Sequence, residues 1–200
     1  MAVELRKGQK VSLEKRIGAS IGQIVINLNW TQKIQPKGFF GALKAPEPID
    51  LDLGCLFQLK NGQVGSVQAL GNAFGSLNST PYIALDGDDR TGESEDGEFL
   101  RINGDRITEI QKVLVYTFIY EGAANWSEAR GVVTVKAPGS QDVIVRMDEY
   151  GSAQKMCAIA MLENMNDETF SIEKLVRFFD GHKLMDQAFG WGLNWVPGKK

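Results

Sequence analysis

The residues best suited to chemistry cluster in one acidic segment, Asp86 to Glu98, whose sequence is DGDDRTGESEDGE. Its thirteen residues include seven carboxylates and one cation, Arg90, so the segment has a formal charge of −6 while the rest of the chain sums to about +3. A chain accommodates such mutually repelling carboxylates by solvation, by raised pKa values or by binding a cation. Because Gly87, Gly92 and Gly97 let a loop curl and direct its oxygens to one point, we interpret the segment as a calcium-type oxygen cage.

A second pair of carboxylates, Asp50 and Asp52, lies in a stretch of alternating apolar and acidic residues. In a β-strand, residues two apart share one face, so both carboxylates can face a neighbouring loop together. Calcium takes six to eight oxygen ligands and no nitrogen or sulfur, which fits this set better than the tighter octahedron of magnesium. The EF-hand pattern fails, because Thr91 occupies the position that requires glycine and Gly97 the position that requires glutamate. A solvated acidic loop that binds nothing is the simplest alternative.

Other chemistries have less support in the sequence. The single histidine, His182, follows an Asp-Gly turn, and we expect it to lie on the surface rather than to act as a base, since no Ser or Cys motif accompanies it. A hydrolase that uses the same carboxylates with magnesium or manganese is an alternative, although Arg90 is its one local cationic clamp. A second alternative is a β-sandwich that binds membranes when calcium is present, with Phe39 and Phe40, which lie among lysines, as its membrane contact. The same two phenylalanines could instead contact a partner protein.

Composition narrows the class of protein. A net charge of −3 and a pI near 5.3 give no general attraction to nucleic acid, so we expect no nucleic acid partner. Cys55 and Cys157 lie far apart in apolar contexts, which favours two reduced core thiols and a cytoplasmic location over a disulfide. We also expect no signal peptide and no membrane span, because no run approaches eighteen apolar residues, so membrane contact is at most peripheral.

Hydrophobic alternation predicts an all-β fold, an antiparallel β-sandwich with long loops and few or no helices, as one domain over residues 1–200. Strands are predicted over 49–59 and 110–120, the second as a central core strand, and the Asn61-Gly62 pair predicts a hairpin turn. Proline and glycine predict a long surface loop over 31–48. For 171–179 we favour a strand over a helix.

Several of these stretches resemble the TerD-type tellurium-resistance and stress-response proteins of bacteria, with the C-terminal third matching only loosely, as in a TerA-like branch. The stretches are Leu5 to Leu13 (LRKGQKVSL), Asn27 to Trp30 (NLNW), Ile49 to Leu53 (IDLDL), Gly87 to Glu93 (GDDRTGE) continuing to Glu98, and Ile110 to Tyr120.

The resemblance implies an intracellular β-sandwich with two conjoined calcium sites that acts with other proteins of the resistance or stress system rather than as an enzyme. The ligands it implies are Asp50, Asp52, Asp88, Asp89, Glu93, Asp96 and Glu98, with Asp86 and Glu95 ranked lower. This chain departs from the family at Asp89, where Asn is usual, and at Asp96-Gly97, where a paired acid is usual. These departures make the occupancy of one of the two sites uncertain.

Overall fold

Two β-sheets face each other in a computed structural model of the chain, which describes residues 2–15, 18–31, 33–34, 47–86, 97–121, 126–147 and 152–196. The strands among these residues are β1 Ala2–Glu4, β2 Lys10–Ser12, β3 Gln23–Asn29, β4 Lys33–Ile34, β5 Glu47–Pro48, β6 Asp50–Leu59, β7 Val64–Gln68, β8 Gly75–Ser76, β9 Ile83–Asp86, β10 Glu98–Asn103, β11 Ile110–Glu121, β12 Val132–Lys136, β13 Asp142–Arg146, β14 Met156–Met165 and β15 Thr169–Phe179. The α-helices are α1 Trp126–Ala129 and α2 His182–Phe189, and two 3-10 helices span Leu70–Asn72 and Gly104–Glu109.

The larger sheet has the strand order β1-β13-β12-β3-β10-β9-β8, and the smaller has β2-β15-β14-β11-β6-β7. The predicted all-β sandwich with few helices is therefore confirmed. One strand pair departs from the antiparallel expectation, since β1 and β13 run parallel. The reason is that the chain crosses from one sheet to the other at the Lys7-Gly8 turn, so β1 and β2 extend different sheets instead of pairing with each other.

The inner faces of both sheets form one apolar core. Burial alternates along β10 and β3, where Leu100, Ile102, Ile24 and Ile26 are fully buried between the sheets. This period of two is what a strand with one face in a core requires, because successive side chains point to opposite faces. Removing these apolar side chains from water is the main favourable contribution to folding.

A second apolar cluster covers the outer face of the six-stranded sheet, which explains why β6 and β11 are buried on both faces. Leu56, Tyr116 and Phe118 of the sheet pack there against Met185 of α2 and Trp191 of the C-terminal tail. Both faces of the sheet are therefore covered, and β11 is a central strand as its continuous apolar run predicts.

The C-terminal tail is fixed by one buried carboxylate. Asp186 of α2 is 3% exposed and accepts hydrogen bonds from the backbone N–H groups of Gly192 (2.7 Å) and Leu193 (2.9 Å) and from Trp195 Nε1 (2.9 Å). The helix ends at Gly190, whose φ of 70° is the left-handed conformation that commonly closes a helix. Sequence patterns alone do not predict this helix and tail.

Other local predictions can be compared with the described residues. The strand favoured over 171–179 is confirmed as part of β15, and the Asn61-Gly62 hairpin is confirmed between β6 and β7. In the region predicted as a loop over 31–48, the short strands β4 and β5 pair antiparallel. Residues 35–46, with Phe39 and Phe40, lie outside the described residues.

The two cysteines are free and fully buried, as predicted for core thiols. Burial raises the pKa of Cys55 to about 12 and raises that of Cys157 still further, because a thiolate loses its hydration in an apolar interior. Both are therefore unreactive thiols near neutral pH.

Candidate functional site

Glu98, one of the predicted ligands, ties the two sheets together. It begins β10, is 3% exposed, and its Oε2 accepts a hydrogen bond of 2.5 Å from the backbone N–H of Leu53 in β6 of the opposite sheet. The pairing of β7 with β6 stops at Gly54, opposite Gln68, so Leu53 lies just past the end of β7. The Glu98 carboxylate therefore accepts the hydrogen bond of Leu53 that a longer β7 would otherwise accept.

Asp50 and Asp52 share one face of β6, on the outer side of the six-stranded sheet. Asp52 is fully buried and lies directly opposite Phe118 of β11, whereas Asp50 is half-buried and lies opposite Glu121. Glu98 contacts the amide that directly follows Asp52 in the chain. The structure thus brings two buried carboxylates, Asp52 and Glu98, to either side of one peptide group.

The acidic segment is anchored at both ends by neighbouring strands. It leaves β9 at Asp86 and rejoins β10 at Glu98, and these strands are antiparallel, with Asp86 opposite Phe99. Residues 87–96, which include Asp88, Asp89, Glu93, Asp96 and the lower-ranked Glu95, lie outside the described residues. The pairing of β9 with β10 fixes where the segment begins and ends. Its C-terminal residue, Glu98, lies beside Leu53 and hence next to Asp52 in the chain.

Asp86 has a different environment from Glu98. It is exposed and forms an ion pair with Arg101, at 2.5 Å from Nη2 and 2.6 Å from Nε. A guanidinium that contacts a carboxylate through two of its nitrogens compensates the negative charge and fixes the orientation of the carboxylate. This pairing keeps Asp86 below Glu98 in rank as a candidate metal ligand.

Gly97 occupies a position that excludes any side chain. Its φ is 74°, and a Cβ added there would lie 2.1 Å from the carbonyl oxygen of Leu28, closer than any real contact. A positive φ and a close backbone approach are the two conditions under which only glycine fits. The sequence departure at Gly97 therefore has a structural cause, since the backbone of β3 occupies the space of the missing acid.

The described residues alone do not complete a metal site. Within them, no three Asp, Glu, His or Cys side chains come close enough together to hold an ion. Four of the candidates lie among the described residues, Asp50, Asp52, Glu98 and the lower-ranked Asp86, and the other five lie within residues 87–96, outside them. The donor set is entirely carboxylate oxygen, which suits a hard cation such as calcium.

Tyr116 lies near Asp52 on the outer face of the sheet. The ring of Tyr116 lies over Gly54, where an added Cβ would be 2.7 Å from the ring, and the Tyr116 hydroxyl donates a 2.5 Å hydrogen bond to Gln68 Oε1. Burial raises the pKa of Tyr116 well above its ordinary value, with smaller contributions from Cys55 and Asp52. The glycine at position 54 is thus required by the tyrosine, and the hydroxyl stays protonated.

The prediction that His182 lies on the surface is wrong. Its ring is half-buried and packs edge-on against Tyr116 at 5.4 Å and Phe118 at 5.1 Å between centroids, and against Trp195 at 4.8 Å. Burial lowers the pKa of His182 to about 4, so the imidazole is neutral near pH 7. The apolar run of β11 could have signalled this, because a core strand exposed on its outer face needs a cover.

None of the helices in the described ranges is long and apolar enough to span a bilayer. Fold and site together define a class: a two-sheet β-sandwich with a buried carboxylate in each sheet, one of which closes an acidic segment. The sequence model of the TerD domain matches residues 1–169, and the chain belongs to the TerD family. Residues 170–200, which contain α2 and the tail, lie beyond that match.

A curated relative, the tellurium resistance protein TerA of Alcaligenes sp, is 44% identical over 191 residues. This alignment covers 95% of the chain but 56% of the relative, so the chain spans little more than half the length of that protein. Among solved structures, a homologue of the telluride resistance protein TerD from Streptomyces coelicolor A3(2) has a TM-score of 0.59 at 17% identity, covering 83% of this chain and 95% of that one. A protein of unknown function, SAV2460, has the same TM-score at 13% identity and covers 84% and 95%. These two structures support the fold alone.

Proposed function

We propose that this chain is a calcium-binding, non-enzymatic module of a tellurium-resistance or stress-response system, acting by docking onto other proteins of that system. The observation that carries the proposal is the pair of buried carboxylates, Asp52 and Glu98, on either side of one peptide group where the acidic segment rejoins the sandwich.

The physical argument begins with the cost of burying charge. An ionised carboxylate removed from water is costly unless a cation or several hydrogen bonds compensate it. Like charges repel, and Glu98 belongs to a segment with a formal charge of −6 that rejoins the sandwich beside the residue after Asp52. A divalent cation at this point offsets all three costs at once.

The ligands of the proposed ions are the seven carboxylates that the family resemblance implies. Asp50, Asp52 and Glu98 lie on the rigid sandwich, and Asp88, Asp89, Glu93 and Asp96 lie in the acidic segment. Seven carboxylates supply enough oxygen ligands for two calcium ions when some are bidentate and water or backbone oxygens complete the shells. The exclusion of a side chain at Gly97 supports weaker binding at one of the two sites.

Docking follows from what calcium would do to the acidic segment. Neutralising its charge would stabilise one conformation of the loop, and a ligand that binds one conformation shifts the population toward it. The ordered loop would then present a surface to a partner. We expect these partners to be proteins of the same system in the cytoplasm, with no nucleic acid contact and with membrane contact at most peripheral.

Thermal unfolding with and without calcium tests the proposal. Calcium should raise Tm, chelator should reverse the rise, and both Asp88→Ala and Asp52→Asn should abolish it. The matched control is Asp105→Asn, because Asp105 is exposed and follows the far end of β10, about 20 Å from Glu98 along the strand. A Tm that is insensitive to calcium would contradict the proposal.

Two further measurements separate the alternative functions. If magnesium or manganese bound more tightly than calcium and supported phosphoester hydrolysis, the hydrolase reading would replace the present one. If calcium caused the protein to co-sediment with anionic vesicles, the membrane-binding reading would replace docking onto proteins.

A further inference from the structure

A cleft of about 290 Å³ opens on the outer face of the six-stranded sheet, between the ends of β11 and β14 and the turn that leads from β15 into α2. Phe118 and Met156 form its apolar floor, and both are largely buried. This volume is at the lower end of the range of about 300–1,000 Å³ that ligand pockets occupy, so the cleft suits a small ligand.

Among the residues that the structure describes, the rim of the cleft carries one charge of each sign. Lys155 is exposed and forms no ion pair with the residues the structure describes. Asp180 is also exposed, and its Oδ2 accepts a 3.1 Å hydrogen bond from Gln154 Nε2, which orients the carboxylate. A ligand in this cleft would therefore meet an ammonium and a carboxylate beside an apolar floor.

The N-terminus of α2 adds hydrogen-bond donors to the same rim. Gly181 precedes the eight-residue helix and supplies no side chain to cap it, and the first turn contains no acidic residue. The first N–H groups of a helix have no partner within the helix and attract anions. Together with Lys155, these donors favour the carboxylate of a ligand.

His182 contributes a nitrogen that no described residue satisfies. Its Nε2 is buried and makes no hydrogen bond, while its ring lines the cleft and contacts Phe118. A buried polar atom without a partner costs stability unless a water or a ligand bonds to it. Since Nε2 has almost no accessible surface, it offers no hydrogen bond to a ligand in the cleft, and the ring adds apolar lining beside Phe118.

We propose that this cleft binds a free α-amino acid with an apolar side chain, its carboxylate at Lys155 and the start of α2, its ammonium at Asp180, and its side chain against Phe118 and Met156. The zwitterion matches the two rim charges because its own charges lie on adjacent groups of one small molecule. A ligand with only a carboxylate would be repelled by the negative charge of Asp180. A ligand with only an amine would be repelled by the positive charge of Lys155. The site does not use the candidate calcium ligands.

Titration calorimetry with L-leucine and L-methionine as probes tests this proposal, once with calcium and once with chelator. We expect saturable binding in both conditions, and binding of isocaproate, which lacks the ammonium, and of isoamylamine, which lacks the carboxylate, weakened by about tenfold or more. The proposal would be overturned if isocaproate and leucine bound with similar affinity. It would also be overturned if neither leucine nor methionine bound at millimolar concentration.

Matched variants locate the binding. Lys155→Met and Asp180→Asn should each raise Kd by about tenfold or more, and Ala153→Trp, which fills the mouth of the cleft at an exposed position, should abolish binding. Lys136→Met and Asp105→Asn, at exposed positions outside the cleft, should leave Kd unchanged. Binding that survives Ala153→Trp would show that the ligand sits elsewhere and would overturn the proposal. Circular dichroism of each variant checks that it folds.

Discussion

The carboxylate of Glu98 and the backbone N–H of Leu53 form a 2.5 Å hydrogen bond between the two sheets of the sandwich. Glu98 closes the acidic segment, and Leu53 directly follows Asp52, so this one contact joins the loop, the strand with the Asp-x-Asp pair and the core. The C-terminal end of the acidic segment is therefore held against the strand that carries Asp50 and Asp52.

The first prediction separates the structural role of Glu98 from its role toward a cation. Glu98→Ala leaves the buried N–H of Leu53 without an acceptor and should lower the free energy of unfolding by about 1–3 kcal/mol. Glu98→Gln keeps an acceptor oxygen and should lower it by less, while it weakens calcium binding. Urea unfolding without calcium measures the first effect, with the exposed Glu109→Gln as control. Equal losses for Ala and Gln would contradict a role for the hydrogen bond.

The second prediction concerns the close approach of Gly97 to Leu28. Gly97→Ala should lower the free energy of unfolding by about 3 kcal/mol or more, because the new Cβ must displace the backbone of β3. Gly62→Ala is the matched control, since Gly62 also has a positive φ but has open space around it. It should cost about 1 kcal/mol. Equal costs in urea unfolding would mean that the space beside Leu28 is not limiting.

The third prediction tests how Asp186 holds the tail. Asp186→Ala removes the acceptor of three hydrogen bonds and should lower the free energy of unfolding by about 3 kcal/mol or more. It should also speed hydrogen exchange at Gly192 and Leu193. Trp195→Phe removes one of the three bonds and should leave exchange at those two amides slow. Unchanged exchange in Asp186→Ala would contradict the arrangement.

The fourth prediction is a pH dependence from His182. Because the folded pKa is about 4 and the ordinary value is 6.5, the unfolded chain binds a proton more readily over this window. The contribution of His182 to stability should be complete above pH 6.5 and should fall by about 1–3 kcal/mol on acidification to pH 4. His182→Phe keeps a ring against Phe118 and removes this titration. Parallel stability curves for variant and wild type between these pH values would contradict the shift.

The sheets and their hairpins could be predicted because their causes are local. The alternation in β10 and the Asn61-Gly62 turn each act over a few residues, and the structure follows both. The secondary structure of residues 171–179 is harder to predict, since their sequence is compatible with a strand or a helix. Pairing with β14 decides in favour of the strand, and that neighbour is invisible to a local pattern.

The apolar run of β11 indicates that the outer face of its sheet needs a cover, but local patterns do not show which residues form it. Asp186 caps a tail six to nine residues away, and Trp191 donates a 3.0 Å hydrogen bond to the carbonyl of Phe57, far away in the chain. These contacts depend on the folded position of α2. For the same reason the sequence predicts a surface position for His182, because the Asp-Gly turn before it gives no sign of the aromatic rings that it meets.

The candidate metal site could be predicted from the sequence in part. Composition and the family resemblance select Asp52 and Glu98, and the structure shows that both are buried and that Glu98 accepts a hydrogen bond from the amide directly after Asp52. The reason for glycine at position 97 depends on the carbonyl of Leu28 in a strand about seventy residues earlier, which no local pattern contains.

Calorimetric titration of the full chain with calcium, against the same titration of Asp52→Asn, tests the central claim most directly. We expect saturable binding of calcium, tighter than that of magnesium, and we expect Asp52→Asn to remove it while the circular dichroism spectrum stays unchanged. Absence of calcium binding by the wild type, or equal binding by a folded Asp52→Asn variant, would contradict it.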